Sequence, residues 1–128
     1  MPTADVLVIG AGPAGINAAY ALEKAGLEYR VIDRSNHIAS TWRNLYPSLH
    51  LNTSRFFSHM PERKFPLTYG LFPTGKQYYD YVVDWVNDHS FNIDYGVDVY
   101  RVAPNGDGLW QVETSEGIET YRAVISAT

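Results

Sequence analysis

The segment that most constrains the fold is Gly10-Ala11-Gly12-Pro13-Ala14-Gly15, which directly follows the apolar run Ala4–Ile9. That run is too short for a buried helix and is typical of a central parallel strand, covered on both faces. Residues Pro13–Ala25 favour a helix, because proline suits the first turn and apolar residues recur at helical spacing. A glycine-rich turn between a strand and a helix therefore predicts a site for the pyrophosphate of a dinucleotide.

Each glycine of this turn has a distinct predicted role. Gly10 permits the tight turn, Gly12 lets the backbone approach the pyrophosphate, and Gly15 lets the helix pack close to the strand. The phosphates would bind free N–H groups at the positive end of the helix dipole. The alternative is a glycine-rich turn that binds no ligand. The predicted pyrophosphate contacts are Gly10, Ala11, Gly12, Pro13, Ala14 and Gly15.

A carboxylate follows the second predicted strand. Glu28–Ile32 has strand character and ends at Asp33, roughly 20 residues after the first glycine, as the dinucleotide motif requires. A carboxylate there accepts hydrogen bonds from the ribose hydroxyls and repels a 2′-phosphate, which favours FAD or NAD over NADP. The neighbouring Arg34 is also a predicted adenosine contact, and its charge would tolerate a 2′-phosphate.

The rest of the chain departs from a simple dinucleotide fold. Residues 34–73 are rich in polar and aromatic side chains without a period, and a stretch of this length is usually functional. Thr74 is a predicted N-cap for an amphipathic helix over Gly75–His89. A β-meander is predicted from four strand-like runs: Ile93–Tyr95, Val97–Val102, Leu109–Thr114 and Ile118–Ile125.

The last run, Ala123–Thr128, again has the composition of a buried strand. With only this run and two earlier ones as parallel strands, the sheet would have few partners and open edges. We therefore expect the natural domain to continue beyond residue 128.

Composition narrows the classes of function. The 128 residues are 45% hydrophobic and carry a net charge of −4, which indicates one globular domain and no nucleic-acid partner. The absence of cysteine excludes a disulfide or a thiolate metal site within this sequence. The four histidines lack metal-ligand spacing, so no metal is predicted. No run is long enough to span a membrane, and a cytoplasmic location is expected.

The order of elements resembles the FAD domain of glutathione-reductase-like flavoproteins. There a meander precedes a strand ending in Ala-Thr-Gly, and this chain ends Ser126-Ala127-Thr128. The predicted fold class is thus α/β, a Rossmann-like FAD-binding domain with a parallel sheet, helices and an inserted β-meander. The resemblance implies that the NADPH domain and the final strand of the FAD domain are absent from the 128 residues.

The irregular stretch is similar to class B flavin monooxygenases, which comprise flavin-containing and Baeyer–Villiger monooxygenases. Ser40-Thr41-Trp42 and Tyr46-Pro47 resemble the family's Gly-Gly-x-Trp and Tyr-Pro segments. Asn52-Thr53-Ser54-Arg55 and Phe57-Ser58-His59-Met60-Pro61 resemble its Asn-Thr-Ser-Lys and Phe-Ser-Asp-x-Pro stretch. Ala39 and Ser40 replace the two glycines, so a different loop backbone is expected there, and His59 replaces the aspartate.

The resemblance implies an NADPH- and O2-dependent monooxygenase that oxygenates a small organic substrate through a C4a-(hydro)peroxyflavin. Asn52 would be the catalytic residue, and asparagine at this position leans toward oxidation of nitrogen or sulfur rather than of a ketone. Arg43 and Arg55 are candidates for phosphate or NADP contact, or for a solvated surface. The chain is compatible with a homo-oligomer. The further FAD contacts implied are Thr41, Trp42, Asn52, Val99, Ala127 and Thr128.

Two other functions stay open. The same FAD domain serves NAD(P)H-dependent disulfide reductases and dehydrogenases, although the cysteine pair of the glutathione-reductase type is missing after the first ribose-binding strand. The chain is also compatible with a non-catalytic nucleotide-binding fragment. On each of these interpretations the 128 residues alone are not expected to turn over a substrate.

Overall fold

The computed structural model describes residues 2–128, which form two compact units. The first, here the sheet unit, comprises the chain up to Ile38 together with Phe91–Thr128. The second, here the excursion unit, is Ala39–Ser90 and contains most of the irregular stretch. Among the described residues, every helix is too short or too polar to cross a membrane.

The sheet unit is built on six strands and one helix. The helix is α1 (Pro13–Lys24), and the strands are β1 (Ala4–Ile9), β2 (Tyr29–Asp33), β3 (Ile93–Tyr95), β4 (Val99–Pro104), β5 (Trp110–Thr114) and β6 (Gly117–Ser126). They form one sheet in the order β3-β2-β1-β6-β5-β4. β3, β2, β1 and β6 are parallel neighbours, whereas β4, β5 and β6 are antiparallel. The predicted parallel sheet with an attached meander is therefore confirmed.

Two parts of the predicted topology are wrong. Ile93–Tyr95 is not a meander strand, because it pairs in parallel with β2 through Val31 and Ile93 on the far side of the sheet. The predicted runs Ile118–Ile125 and Ala123–Thr128 are one continuous strand, β6, which pairs with both β1 and β5. The parallel part thus has four strands and not three, and the meander extends the same sheet.

Burial explains why β1 occupies the centre. Leu7 and Val8, which point to opposite faces of β1, are both fully buried. Leu7 packs in a core with Ile32 of β2 and with Val112 and Tyr121 of the meander. A strand buried on both faces needs a nearly continuous apolar sequence, which Ala4–Ile9 supplies.

The excursion unit contains the short helix α2 (Ser40–Arg43) and the long helix α3 (Gly75–Asn87). α3 begins as predicted at Thr74, whose hydroxyl accepts from the Gln77 N–H while the Gln77 side chain accepts from the Thr74 N–H. This reciprocal capping box satisfies two N–H groups that the helix leaves unpaired. The helix ends at Asn87, two residues before the predicted His89.

The buried face of α3 holds the irregular segment in place. The Tyr81 hydroxyl accepts from the Met60 N–H (2.7 Å) and donates to the Arg63 carbonyl (2.5 Å). The indole N–H of Trp85 donates to the Pro61 carbonyl (2.9 Å). The segment without periodicity is thus ordered by hydrogen bonds to the helix, which hydropathy patterns do not encode.

Candidate dinucleotide-binding site

The glycine turn between β1 and α1 has the geometry that its three glycines require. Gly10 has φ +110°, and a Cβ there would lie 2.5 Å from the Ala127 carbonyl oxygen. A Cβ on Gly15 would lie 1.8 Å from the Gly10 carbonyl oxygen. A Cβ on Gly12 would meet no atom of the chain within 4 Å. Gly10 and Gly15 are therefore required by the protein itself, whereas the space in front of Gly12 is free for a ligand.

The start of α1 presents N–H groups without protein partners. Gly12 is the N-cap and has no side chain to accept a hydrogen bond, and Pro13 has no N–H. The N–H groups of Gly12, Ala14 and Gly15 donate to no acceptor in residues 2–128. Such groups carry the positive end of the helix dipole and bind anions. The residues present therefore fit a pyrophosphate in the open space beside Gly12.

Asp33 stands at the carboxyl end of β2, beside this turn. Its Oδ2 accepts from the Ala11 N–H (2.7 Å), and its Oδ1 accepts from the N–H and the hydroxyl of Ser35 (2.8 and 2.7 Å). Burial is the largest single influence on the pKa of Asp33 and raises it, but these hydrogen bonds and the Arg34 charge together outweigh it. The net result is a lowered pKa, so the carboxylate is ionised at neutral pH.

Backbone hydrogen bonds bring two more predicted segments to this turn. The Ala127 N–H donates to the Ile9 carbonyl (2.8 Å), so Ala127 and the following Thr128 lie beside Gly10. The Val97 N–H donates to the Asp33 carbonyl (3.0 Å), so the segment just before β4 runs next to Asp33. The Val99 side chain packs on the sheet core, and Arg34 is exposed.

The other predicted contacts belong to the excursion unit. Thr41 is exposed on α2, and Trp42 is half-buried with its ring 4.6 Å from that of Tyr78. Asn52 is exposed, and its side chain makes no hydrogen bond within the described part of the chain. Asn52 is therefore not the local turn-stabilising residue that asparagine often is in loops.

At Ala39, one of the two positions where the related family has glycine, the backbone adopts a glycine-like conformation. Ala39 precedes α2 with φ 49° and ψ 41°, the left-handed conformation that glycine adopts most easily. Ser40 then begins the helix. The surrounding structure thus holds alanine in the conformation that glycine favours.

Arg55 has a role that neither sequence interpretation predicted. Its guanidinium donates to the carbonyls of Tyr69 (2.7 Å), Pro66 (2.9 Å) and Phe65 (3.2 Å). A guanidinium fork with fixed donors is suited to several carbonyls at once. Arg55 therefore joins three backbone groups of the excursion unit, whereas Arg43 is exposed.

Sequence reasoning also missed Ser35, which contacts Asp33, and the buried ring nitrogen of His37. Ser35 donates to the Asp33 carboxylate, and its hydroxyl lies 2.8 Å from the His37 carbonyl. The buried Nε2 of His37 has no hydrogen-bond partner among the described residues. An Asp-x-Ser sequence directly after a strand is the available signal for Ser35, because serine and aspartate commonly bond locally in turns. No sequence signal indicates that the Nε2 of His37 is buried.

A strand, a glycine turn, a helix with free N–H groups and a carboxylate on the next strand define a Rossmann-like dinucleotide-binding domain. The chain belongs to the pyridine nucleotide-disulphide oxidoreductase family, which residues 7–128 match. A probable indole-3-pyruvate monooxygenase from Arabidopsis thaliana, YUCCA9, is 33% identical over 116 residues. That match covers 88% of this chain and 28% of the relative.

Solved structures agree with this assignment. A flavin-containing monooxygenase from Stenotrophomonas maltophilia matches 100% of the chain and 39% of its own length, with 30% identity and a TM-score of 0.87. The enzyme OTEMO in complex with FAD and NADP matches 99% of the chain and 26% of its own, with 28% identity and a TM-score of 0.82. A bacillithiol disulfide reductase from Bacillus cereus matches 98% of the chain and 39% of its own length, with 28% identity and a TM-score of 0.83.

The matches support the sequence-based assignment in two respects. The predicted Rossmann-like fold class and the resemblance to flavin monooxygenases are confirmed. The chain spans 28% of the length of this indole-3-pyruvate monooxygenase and between 26% and 39% of the three solved structures.

Proposed function

We propose that this chain is the FAD-binding part of an NADPH- and O2-dependent flavoprotein monooxygenase in the cytoplasm. The observation that carries the proposal is the open space beside Gly12, bordered by unpaired N–H groups and by the ionised Asp33. The relatives named as monooxygenases, and the FAD and NADP in the OTEMO complex, support the choice of flavin over NAD.

Each residue of the turn would have a defined task in binding. The N–H groups of Gly12, Ala14 and Gly15 would bind the pyrophosphate, while Gly10, Ala11 and Pro13 shape the turn. Asp33 would accept hydrogen bonds from the ribose hydroxyls of the adenosine, with the exposed Arg34 beside it. The backbone at Val99 would border the adenine, and Ala127 and Thr128 would border the ribityl chain.

The chemistry would come from the cofactor, whereas the protein supplies binding, orientation and a dry site. When bound, FAD would accept a hydride from NADPH and activate O2 toward a small organic substrate. NADPH would bind to a domain outside these 128 residues, and homo-oligomers are compatible with this assignment. Thr41 and Trp42 would border the flavin on the excursion unit.

The FAD assignment predicts a sharp effect of Gly12→Ala. The added methyl group meets no protein atom, so the variant should fold as the wild type does. The same methyl group would occupy the space of the pyrophosphate, so the Kd for FAD should rise at least about 100-fold. Quenching of flavin fluorescence on titration with the purified chain measures this, with NADPH as the parallel ligand. Unchanged FAD affinity in Gly12→Ala would contradict the proposed site.

Asn52 is proposed as the residue that faces the reacting part of the flavin. An amide can donate and accept without adding a charge to a dry site. Because Asn52 is exposed and unbonded, Asn52→Ala should change the free energy of unfolding by less than about 0.5 kcal/mol.

If Asn52 contacts bound FAD, Asn52→Ala should weaken FAD binding by roughly 3- to 10-fold, the value of one hydrogen bond. Asn87→Ala, at an exposed position that ends α3, is the matched control and should leave FAD affinity unchanged. Equal affinities for wild type, Asn52→Ala and Asn87→Ala would remove Asn52 from the flavin site.

A second candidate function is an FAD-dependent disulfide reductase, which the match to the Bacillus cereus reductase favours. A redox-active cysteine pair would then have to lie outside this chain, which has no cysteine. NADPH oxidation by a longer protein that includes residues 1–128 separates the two functions. A monooxygenase would consume O2 with NADPH, whereas a reductase would need a disulfide substrate.

A further inference from the structure

Ser35 makes two contacts with one oxygen of Asp33. Its N–H lies 2.8 Å and its hydroxyl 2.7 Å from Oδ1. The other carboxylate oxygen, Oδ2, accepts from the Ala11 N–H of the glycine turn at 2.7 Å. Both oxygens are thus held in place from opposite sides by the protein, and the rotation of the carboxylate is fixed before any ligand is present.

Ser35 is itself held by two neighbouring segments. Its carbonyl accepts from the Gly96 N–H (3.0 Å), and its hydroxyl oxygen lies 2.8 Å from the His37 carbonyl. A serine hydroxyl has one proton, so it donates either to Asp33 or to His37 at a given moment. Donation to the carboxylate is the stronger of the two bonds, since a charged acceptor roughly doubles hydrogen-bond strength.

We propose that Ser35 is a positioning residue that aims the Asp33 carboxylate at the ribose hydroxyls and thereby selects an adenosine without a 2′-phosphate. The inference rests on the proposed function, because it assumes that Asp33 binds a ribose. A carboxylate oxygen has about two acceptor sites. The two Ser35 donors therefore occupy Oδ1, whereas Oδ2 accepts only from the Ala11 N–H and keeps one site for a ribose hydroxyl. Fixing the carboxylate in advance lowers the entropy that binding must remove.

The charges and hydrogen-bond donors around Asp33 keep its carboxylate ionised for binding a ribose. The charge that acts on Asp33 is that of Arg34, and the contacts of its carboxylate come from the N–H groups of Ala11 and Ser35 and from the Ser35 hydroxyl. On the neighbouring strand β3, the titratable residue paired with Asp33 is Tyr95. The pKa of Asp33 is raised by burial, but is lowered overall by Ala11, Ser35 and Arg34 together. Removing the Ser35 hydroxyl should therefore raise the pKa of Asp33.

The test compares Ser35→Ala with Ser35→Thr, which keeps the hydroxyl. At pH 7.5 we expect Ser35→Ala to raise the Kd for FAD about tenfold, whereas Ser35→Thr stays near the wild-type value. Carboxyl ¹³C NMR of the ligand-free chain should give a higher pKa for Asp33 in Ser35→Ala. On acidification, FAD binding should therefore begin to weaken at a higher pH in Ser35→Ala than in the wild type. If Ser35→Ala folds poorly, Ser35→Cys takes its place, because its S–H group is only a weak donor. Ser35→Cys should likewise raise the Kd for FAD and the pKa of Asp33.

Three outcomes are decisive. A Kd for FAD within twofold of wild type in Ser35→Ala would overturn the proposal. A weaker affinity for FAD without a higher pKa of Asp33 would also overturn it, because Ser35 would then stabilise the loop conformation and not position the Asp33 carboxylate. Loss of FAD binding already in the wild type, or full binding by Gly12→Ala, would instead contradict the proposed function. The pKa of Asp33 in the ligand-free chain still reports on the contact with Ser35 in that case.

Discussion

Gly15→Ala should strongly destabilise the folded protein, because the new methyl carbon would lie 1.8 Å from the Gly10 carbonyl oxygen. The obstructing atom belongs to the backbone, so no side-chain rotation can relieve the overlap. Relief requires α1 to move away from β1, which would disturb the buried contacts of Ile16 and Ala19. We expect a loss of at least about 3 kcal/mol from the free energy of unfolding, at the upper end of what overpacking costs.

Urea denaturation followed by far-UV circular dichroism measures this loss, and Gly12→Ala is the matched control. Both substitutions add one methyl group to the same turn, but the methyl of Gly12→Ala meets nothing within 4 Å. Gly12→Ala should therefore unfold within about 0.5 kcal/mol of wild type. Similar stabilities for the two variants would contradict the close approach of α1 to β1. Together they separate a glycine needed for packing from one needed for the ligand.

The parts of the fold that were predictable depend on short-range chemistry. The glycine turn, the Thr74 cap and the apolar face of α3 are encoded within a few residues of one another. Asp33 could be placed because the spacing from strand to strand in this motif is narrow. In the turn, the cap and the helix face, the interacting residues are close together in the sequence, so local patterns predict them. Asp33 is 22 residues from its partner Ala11 and is predicted by the spacing of the motif instead.

The parts that were missed depend on partners far along the chain. A three-residue strand such as Ile93–Tyr95 has no pattern that selects β2 over β4 as its neighbour. Gly10 was assigned to a tight turn, yet the nearest obstacle to a side chain there is the carbonyl of Ala127, more than 100 residues away in sequence. Arg55 could not be placed because its acceptors are backbone carbonyls, which every residue has.

Arg30 is another long-range feature with no sequence signal, and it joins three segments of the sheet unit. Its Nε donates to Asp94 on β3 (2.7 Å), and its Nη1 donates to both oxygens of Glu119 on β6 (2.6 and 2.7 Å). Its Nη2 donates to Glu116, before β6 (2.6 Å). The Arg30 side chain is only 14% exposed and that of Glu119 only 15%, so their attraction is weakly screened.

Arg30→Met should therefore be strongly destabilising, because it keeps the aliphatic stem and removes the charge shared by three carboxylates. Glu119 would be left nearly buried without an opposite charge, with the Tyr121 hydroxyl as its remaining donor. Removing one partner of a buried ion pair typically costs 3–5 kcal/mol. Asp94 and Glu116 are 47% and 55% exposed, and water would compensate for much of their loss. We expect the free energy of unfolding at pH 7 to fall by about 3 kcal/mol.

Arg122→Met is the matched control, because Arg122 is 68% exposed and its ion pair with Asp5 spans 3.1 Å. That exposed pair should contribute less than about 1 kcal/mol. Urea unfolding of wild type and both variants at pH 7 measures the contrast. Equal losses in Arg30→Met and Arg122→Met would mean that the carboxylates around Arg30 do not need its charge.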